Sequence, residues 1–340
     1  MNFGTTFALI KLRRMLVGMK SFLWVAIIFL LSGCSNTHSE IRSSYDPYKA
    51  PSEELAVGKK SIVLATGDVS GVYYPLGTGL MTILEEYNKA AFGTRVTNAS
   101  IQNAKLVSSN EVELGISMAD VLYSDELSQK HLNVLTNLYR NYMQIVTSDP
   151  SIESLSDLKG KRVSLGAEGS GTRFTAERLL DAAGLSQETM DISYLSFTQS
   201  AAGMNNGTID VAFLSSGLPN PVIEQLLEEE NLTLVKVDEE TSKRLNQQYE
   251  GYEWQEIPSY TYEGITEPTP TVTVQNVLYA NEELSNELAY HILKGIYEHL
   301  DEWAVYHPAV ANMTVEEAAT NIAIPLHPGA KQYINEVGGK

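Results

Sequence analysis

Three loops carry glycine and hydroxyl side chains in a pattern that suits anion binding. They span residues 67–75, 166–173 and 215–221, and each lies between a predicted strand and a predicted helix. In parallel α/β sheets, ligands lie at the carboxyl ends of strands, where helix N-termini present free N–H groups. Glycine lets the backbone approach a ligand closely. The loops therefore predict a site for an anion such as a carboxylate, and its candidate contacts are Ser70, Gly71, Tyr73, Ser170, Gly171, Thr172, Arg173 and Ser216.

Each of these residues also has a structural explanation, which stays open at the level of sequence. The glycines suit tight turns, and Ser170 or Thr172 suits a helix cap. Arg173 could supply a bidentate contact to a carboxylate, but it also suits a surface ion pair. Tyr73 suits packing as well as it suits a ligand contact.

The sequence does not predict catalysis, a metal site or a bound cofactor. Gly169-Ser170-Gly171 lacks both the G-x-S-x-G spacing of a nucleophile elbow and the Lys-Ser/Thr of a phosphate-binding loop. The six histidines form no HExxH pattern. Because no nucleophile is paired with a base, we expect a protein that is not an enzyme.

Apolar runs typical of buried strands alternate with segments of helical periodicity, which predicts an α/β fold with largely parallel sheets. The predicted strands span residues 61–66, 94–100, 112–116, 161–165, 191–195, 210–214, 271–274 and 277–279. The predicted helices span about 75–87, 171–183, 197–206, 221–229 and 286–300. Residues 249–271, in which tyrosine is interleaved with glycine and proline, interrupt the pattern.

Length and charge narrow the class of protein. The chain has 340 residues, so two domains are expected. Its formal net charge of −18 argues against nucleic-acid binding, which needs a basic face. The single cysteine, Cys34, excludes an internal disulfide framework.

The N-terminal segment has the features of a secretory signal. Basic residues precede an apolar run at residues 22–31, which is too short to cross a bilayer as a helix. The run ends in Leu31-Ser32-Gly33-Cys34, which resembles a bacterial lipobox. We therefore expect a signal peptide at 1–33, lipidation of Cys34 and a flexible tether at 34–58. The chain would then be extracytoplasmic and membrane-anchored; the alternative is a cytoplasmic chain in which Cys34 falls here by chance.

Several motifs, in order from about residue 60 to 337, resemble the TAXI family of extracytoplasmic solute-binding subunits of tripartite ATP-independent periplasmic (TRAP) transporters. They are Gly71-Val72-Tyr73-Tyr74-Pro75-Leu76-Gly77, Leu155-Ser156-Asp157-Leu158-Lys159-Gly160, Gly169-Ser170-Gly171-Thr172-Arg173, Tyr194-Leu195-Ser196-Phe197, Gly217-Leu218-Pro219-Asn220 and Pro325-Leu326-His327-Pro328-Gly329-Ala330. At Met118-Ala119-Asp120 the family often has Gln-Ser-Asp, and the resemblance adds Asp120 to the expected ligand contacts.

The resemblance implies a type II periplasmic binding-protein fold, with two α/β lobes that each have a central sheet and are joined by a hinge. Lobe 1 would comprise residues 59–147 and 272–340, and lobe 2 residues 148–271. A small carboxylate or amino acid, such as glutamate or 2-oxoglutarate, would bind between the lobes and pass to an ion-driven TRAP permease in the membrane. Two alternatives stay open: a ligand-sensing lipoprotein that signals to a membrane receptor, and an enzyme on the same fold.

Overall fold

The computed structural model describes residues 61–88, 90–124, 131–229 and 232–338. In chain order the helices are α1 (Tyr73–Asn88), α2 (Ser100–Ser108), α3 (Ala119–Leu122), α4 (Gly171–Ala182), α5 (Phe197–Asn205), α6 (Pro221–Glu229), α7 (Glu239–Gln248), α8 (Asn286–Glu298), α9 (Leu300–Ala304) and α10 (Pro328–Val337). The strands are β1 (Ile62–Ala65), β2 (Phe92–Arg95), β3 (Leu114–Met118), β4 (Leu132–Thr147), β5 (Arg162–Ser164), β6 (Asp191–Ser193), β7 (Val211–Ser216), β8 (Thr233–Leu234), β9 (Tyr252–Ile257) and β10 (Thr269–Asn281).

These strands form a sheet in which two parallel trios flank an antiparallel pair. The order along the sheet is β2-β1-β3-β10-β4-β7-β5-β6, with β9 also on β10 and β8 also on β4. The trios β2-β1-β3 and β7-β5-β6 are parallel, and the connections between them are antiparallel. We call the first trio with α1 and α2 the first half, and the second trio with α4 and α5 the second half.

Strands β4 and β10 are long because each one serves both halves. β4 has 16 residues; its start pairs with β10, and residues 142–147 pair with β7 of the second half. β10 has 13 residues; residues 269–274 pair with β9, and residues 276–280 pair with β3 of the first half. The two halves are therefore joined by two neighbouring crossing strands.

The sheet is covered on both faces, as expected for parallel strands. Along β10, Leu278 packs into one apolar cluster and its neighbour Tyr279 into another. Along β7, Phe213 and Leu214 likewise enter different clusters. Successive side chains of a strand point to opposite faces, so helices must pack on each side.

The helix boundaries follow from local chemistry. The buried residues of α1 include Leu76, Leu80 and Leu84, a spacing of one helical turn. Ser170 caps α4 through a hydrogen bond that its side chain accepts from the Arg173 amide (3.1 Å). Gly184, with φ of +70°, follows the end of that helix.

Two tryptophans differ sharply in their surroundings. Trp303 packs in the core of the first half with no exposed surface, and its indole Nε1 donates to the Leu76 carbonyl (2.7 Å). Trp254 lies on β9, is 39% exposed, and donates to the Val237 carbonyl (3.2 Å).

The structure corrects several predicted elements. The predicted strand at 94–100 is wrong in its second part, because Ser100 already begins α2. The predicted strands at 271–274 and 277–279 belong to one strand, β10. Residues 249–271 contain β9, which the sequence did not predict, and β4 was also missed.

Three predictions about organisation stay predictions. The signal peptide at 1–33, the tether at 34–58 and the lipidation of Cys34 lie outside the described residues. The lobe boundary at 147/148 falls at the end of β4 and the boundary at 271/272 falls within β10, and both stay an assignment from resemblance. Within the described ranges, every helix is too short or too polar to span a bilayer.

Candidate functional site

A cavity lies between the two halves, beyond the carboxyl ends of the parallel strands. It encloses about 610 Å³, including the part that is open to solvent. Residues that follow β1, β2, β5 and β6 all contribute to its wall, as do Met118 at the end of β3 and Ser216 at the end of β7. This is the edge at which α/β sheets bind ligands. Its wall consists of Gly67, Asp68, Gly71, Val72, Tyr73, Asn98, Ala99, Ser100, Met118, Tyr139, Asn141, Ala167, Ser170, Gly171, Thr172, Ser196, Phe197, Ser215 and Ser216.

Four helices begin at this cavity. Their first residues, Tyr73 of α1, Ser100 of α2, Gly171 of α4 and Phe197 of α5, all line it. A helix N-terminus carries roughly half a positive charge, so the arrangement favours an anion between the halves.

A hydrogen-bonded network forms the floor of the cavity, where β4 and β10 lie side by side. The Tyr73 hydroxyl donates to Asn276 Oδ1. Asn276 Nδ2 donates to Asn141 Oδ1 (2.8 Å) and to the Tyr139 carbonyl (3.0 Å). Asn141 Nδ2 in turn donates to the Ser215 carbonyl (3.3 Å) on β7. The network therefore ties the first residue of α1 to both crossing strands and to the second half.

The hydroxyl of Tyr139 differs from its neighbours because it is buried without a hydrogen-bond partner among the described residues. Burial raises the pKa of this phenol well above its usual value, and the nearby Tyr73 adds to the rise. The group is therefore a neutral donor at neutral pH. A buried hydroxyl without a partner is uncommon and costly in folded proteins.

The cavity holds little formal charge. Among the described residues that line it, Asp68 is the only acidic or basic side chain. Its Oδ1 accepts hydrogen bonds from the amide (2.9 Å) and hydroxyl of Ser70. Val72, Met118 and Phe197 supply apolar surface. The wall thus presents helix N-termini that can bind an anion and one carboxylate, Asp68, that can bind a cation. It also has an apolar part that can contact the hydrocarbon portion of a ligand.

The structure brings together most, but not all, of the predicted contact residues. Those in the cavity wall are Gly71, Tyr73, Ser170, Gly171, Thr172 and Ser216. Ser70, Asp120 and Arg173 are not part of that wall. Whether the six wall residues bind a ligand stays a prediction.

Arg173 makes an ion pair within the protein, which is the structural alternative that the sequence left open. Its Nε donates to Glu177 (2.9 Å) one turn along α4, and its guanidinium lies 3.9 Å from the centroid of the Tyr194 ring. These contacts engage the guanidinium within the second half. The expectation of a cation in the cavity is therefore not met by Arg173.

Asp120 is fully buried and bridges elements instead of lining the cavity. Its Oδ2 accepts from the hydroxyls of Thr175 (2.7 Å) and Tyr252 (2.6 Å), and its Oδ1 accepts from the Val121 amide (2.8 Å). Burial raises the pKa of this carboxyl, and the hydrogen bonds from Tyr252 and Thr175 partly offset the rise. Three donors account for both oxygens, which suits a structural carboxyl.

Several wall residues escaped the sequence analysis. Asn98 and Ser100 were assigned to a strand, although they precede and begin α2. Tyr139 and Asn141 lie on β4, which was not predicted at all. The buried amides of Asn141 and Asn276 bond each other, and only the fold shows that the two residues meet.

Two histidines that each precede a proline cap helical turns. His307 Nδ1 accepts from the Ala309 amide (3.2 Å), and His327 Nδ1 accepts from the Gly329 amide (3.2 Å). The described part of the chain holds no cluster of three or more metal-ligating side chains.

Comparison with one solved structure supports the fold, and two others show a weaker similarity. A protein from Bordetella bronchiseptica RB50 superposes with a TM-score of 0.52 at 14% identity, over 83% of this chain and 99% of that chain. The aliphatic sulphonate binding protein SsuA from Escherichia coli gives a TM-score of 0.47 at 13% identity, over 73% of this chain and 74% of that chain. A putative L-cystine ABC transporter from Listeria monocytogenes gives a TM-score of 0.48 at 13% identity, over 74% of this chain and 97% of that chain.

With its two trios joined by crossing strands, the chain has the α/β periplasmic binding-protein fold, and the predicted fold class is confirmed. The NMT1-like family matches residues 64–338, which is most of the chain and includes the whole cavity wall. The chain therefore belongs to the NMT1-like family.

Proposed function

We propose that the chain is an extracytoplasmic solute-binding protein that holds a small carboxylate or amino acid between its two halves. The observation that carries this proposal is the convergence of helix N-termini from both halves on one cavity: α1 of the first half and α4 and α5 of the second, beside α2, whose first amides donate to the Gly169 carbonyl. Such termini bind anions without formal positive charge.

The wall favours an amino acid over a dicarboxylate. The α-carboxylate would face the helix N-termini, and Asp68 could pair with the ammonium group. A second carboxylate, as in 2-oxoglutarate, would lie in a wall whose described part has Asp68 and no basic side chain. Glutamate-like ligands, which the resemblance implies, must then place their second carboxylate at another helix N-terminus.

Binding would work as a clamp. A ligand that contacts both halves favours the closed arrangement to the extent that it binds this arrangement more tightly than an open one. The crossing strands β4 and β10 are the segments about which the predicted lobes would move. We further propose delivery of the closed complex to an ion-driven TRAP-type permease, with the chain anchored by a lipid on Cys34.

A thermal-shift screen tests the binding proposal. The panel contains L-glutamate, L-glutamine, 2-oxoglutarate and the neutral L-amino acids. A compound that binds the native state raises the melting temperature, and its recovery without chemical change supports a binding protein over an enzyme. A panel without any shift, together with no binding in equilibrium dialysis, contradicts the proposal.

Two variants of adjacent residues make the test specific. Thr172→Ala removes a hydroxyl from the cavity wall, and we expect at least about a tenfold loss of affinity for the best panel compound, or ~1.4 kcal/mol. Arg173→Gln, one residue along the same helix, is the matched control and should change affinity less than about threefold. Equal effects of the two variants in calorimetry contradict the assignment.

The anchor has its own test. Cys34→Ser should move the protein from the membrane fraction to the soluble extracytoplasmic fraction, because the thioether to lipid can no longer form. Unchanged membrane association of this variant contradicts lipidation at Cys34 if N-terminal sequencing shows that residues 1–33 have been removed. A radiolabelled fatty acid that is incorporated only into the wild type gives the same answer independently.

A further inference from the structure

Helix α2 of the first half begins without a cap from its own side chains. Its N-cap residue is Ala99, which makes no side-chain cap and has φ of +71°. The amides of Ile101 and Gln102 instead donate to the carbonyl of Gly169, at 3.1 and 3.3 Å. Gly169 lies in the loop before α4, so the cap of a first-half helix comes from the second half.

The approach of the two halves at this point is close. A Cβ added to Gly171 would lie 2.6 Å from both Met118 Sδ and Ser100 Oγ. Only glycine permits this distance, because real Cβ contacts are essentially never that short. The Gly169 loop therefore reaches α2 through a contact that is specific in shape as well as in hydrogen bonding.

We infer that the Gly169 carbonyl is a closure latch, which caps α2 only when the two halves come together over the cavity. This inference rests on the proposed function as a clamp. Net hydrogen-bond energies are modest, so two such bonds can hold the halves together and still release them. The latch also engages the first amides of α2, which leaves α1, α4 and α5 as the helix N-termini available to an anion.

A cross-link tests whether this contact forms in solution. A Cβ at residue 169 would lie 4.0 Å from Asn98 Cβ, within the range that a disulfide requires. In a Cys34→Ser background, the pair Asn98→Cys and Gly169→Cys should oxidise about ten times faster, or more, than the pair Asn98→Cys and Gly160→Cys. Equal oxidation rates for the two pairs would overturn the latch.

A matched glycine controls for backbone strain. Gly169 and Gly160 both have φ of +76°, and a Cβ at either meets nothing closer than 4.0 Å. Ala at either position therefore introduces the same strain, but only Gly169→Ala displaces the capping carbonyl. We expect the amides of Ile101 and Gln102 to exchange hydrogen about tenfold faster in Gly169→Ala than in Gly160→Ala. Equal exchange rates would contradict the inference even if both variants lose stability.

The latch and the proposed function fail in different ways. If the cross-link forms and the two amides are protected, but no compound of the screening panel binds, the latch stands and the ligand class is wrong. If a panel compound binds wild type and Gly169→Ala with equal affinity, binding stands and the coupling of the latch to closure is refuted.

Discussion

Replacement of Asp120 provides the sharpest test of how α3, α4 and β9 are held together. The carboxyl is completely buried, and three donors within 2.8 Å account for its two oxygens: the Thr175 and Tyr252 hydroxyls and the Val121 amide. Asp120→Ala removes the acceptor and leaves these donors buried. A buried donor that loses its partner costs about 1–3 kcal/mol, and Asp120→Ala leaves three neutral donors without their acceptor. We therefore expect the free energy of unfolding to fall by about 3–5 kcal/mol.

The assay is urea unfolding at pH 7, followed by far-ultraviolet circular dichroism. Asp191→Ala, at an exposed position on β6, is the control and should change the free energy of unfolding by less than about 0.5 kcal/mol. A loss below about 1 kcal/mol in Asp120→Ala would refute the structural role. Asp120→Asn supplies the second half of the test: it keeps the shape of the side chain, and affinity for the best panel compound should stay within about threefold because Asp120 is not in the cavity wall.

Three further predictions concern other parts of the molecule. Gly171→Ala should lower the free energy of unfolding by about 1–3 kcal/mol through overpacking. Gly93→Ala is the control and should not lower it, because a Cβ at residue 93 meets nothing within 4 Å. Equal urea midpoints for the two variants would contradict the overpacking at Gly171. Tyr139→Phe should leave the melting temperature unchanged or raise it, because it removes a buried hydroxyl that has no hydrogen-bond partner in the described part of the chain; a clear decrease would show that the hydroxyl is bonded within the protein. Burial lowers the pKa of His327 from 6.5, so the unfolded chain binds more protons than the folded chain below that pH. The contribution of His327 to the free energy of unfolding is therefore complete above about pH 6.5 and is lost as the pH falls. His327→Gln should reduce this dependence of the melting temperature on pH.

The strand-loop-helix units could be predicted from sequence because local hydrophobic spacing and turn residues agree with the tertiary structure. The apolar spacing of α1 and the glycine after α4 each predicted an element close to its observed bounds. The cavity-forming loops followed from this alternation, and six of the nine predicted contacts do line the cavity.

The parts that sequence did not predict depend on long-range partners. β4 carries buried polar residues such as Asn137, Asn141 and Gln144, so it lacks the continuous apolar pattern of a central strand. Their partners lie far along the chain: Asn141 bonds Asn276, and Gln144 bonds Ser216. Arg173 and Asp120 were assigned to a ligand by type and by motif, but partners in the protein engage both. Only the fold shows that these partners are near.

The contrasting environments of the two tryptophans provide one intrinsic optical probe in the core of the first half and one on β9. Trp24, the third tryptophan, lies in the segment predicted to be cleaved, so the mature chain would contain Trp254 and Trp303 alone. The enclosed indole of Trp303 should emit at shorter wavelength than the partly hydrated indole of Trp254. Single replacements of each by Phe would therefore separate the fluorescence of the two sheet regions, and show whether they melt in one cooperative step or in sequence.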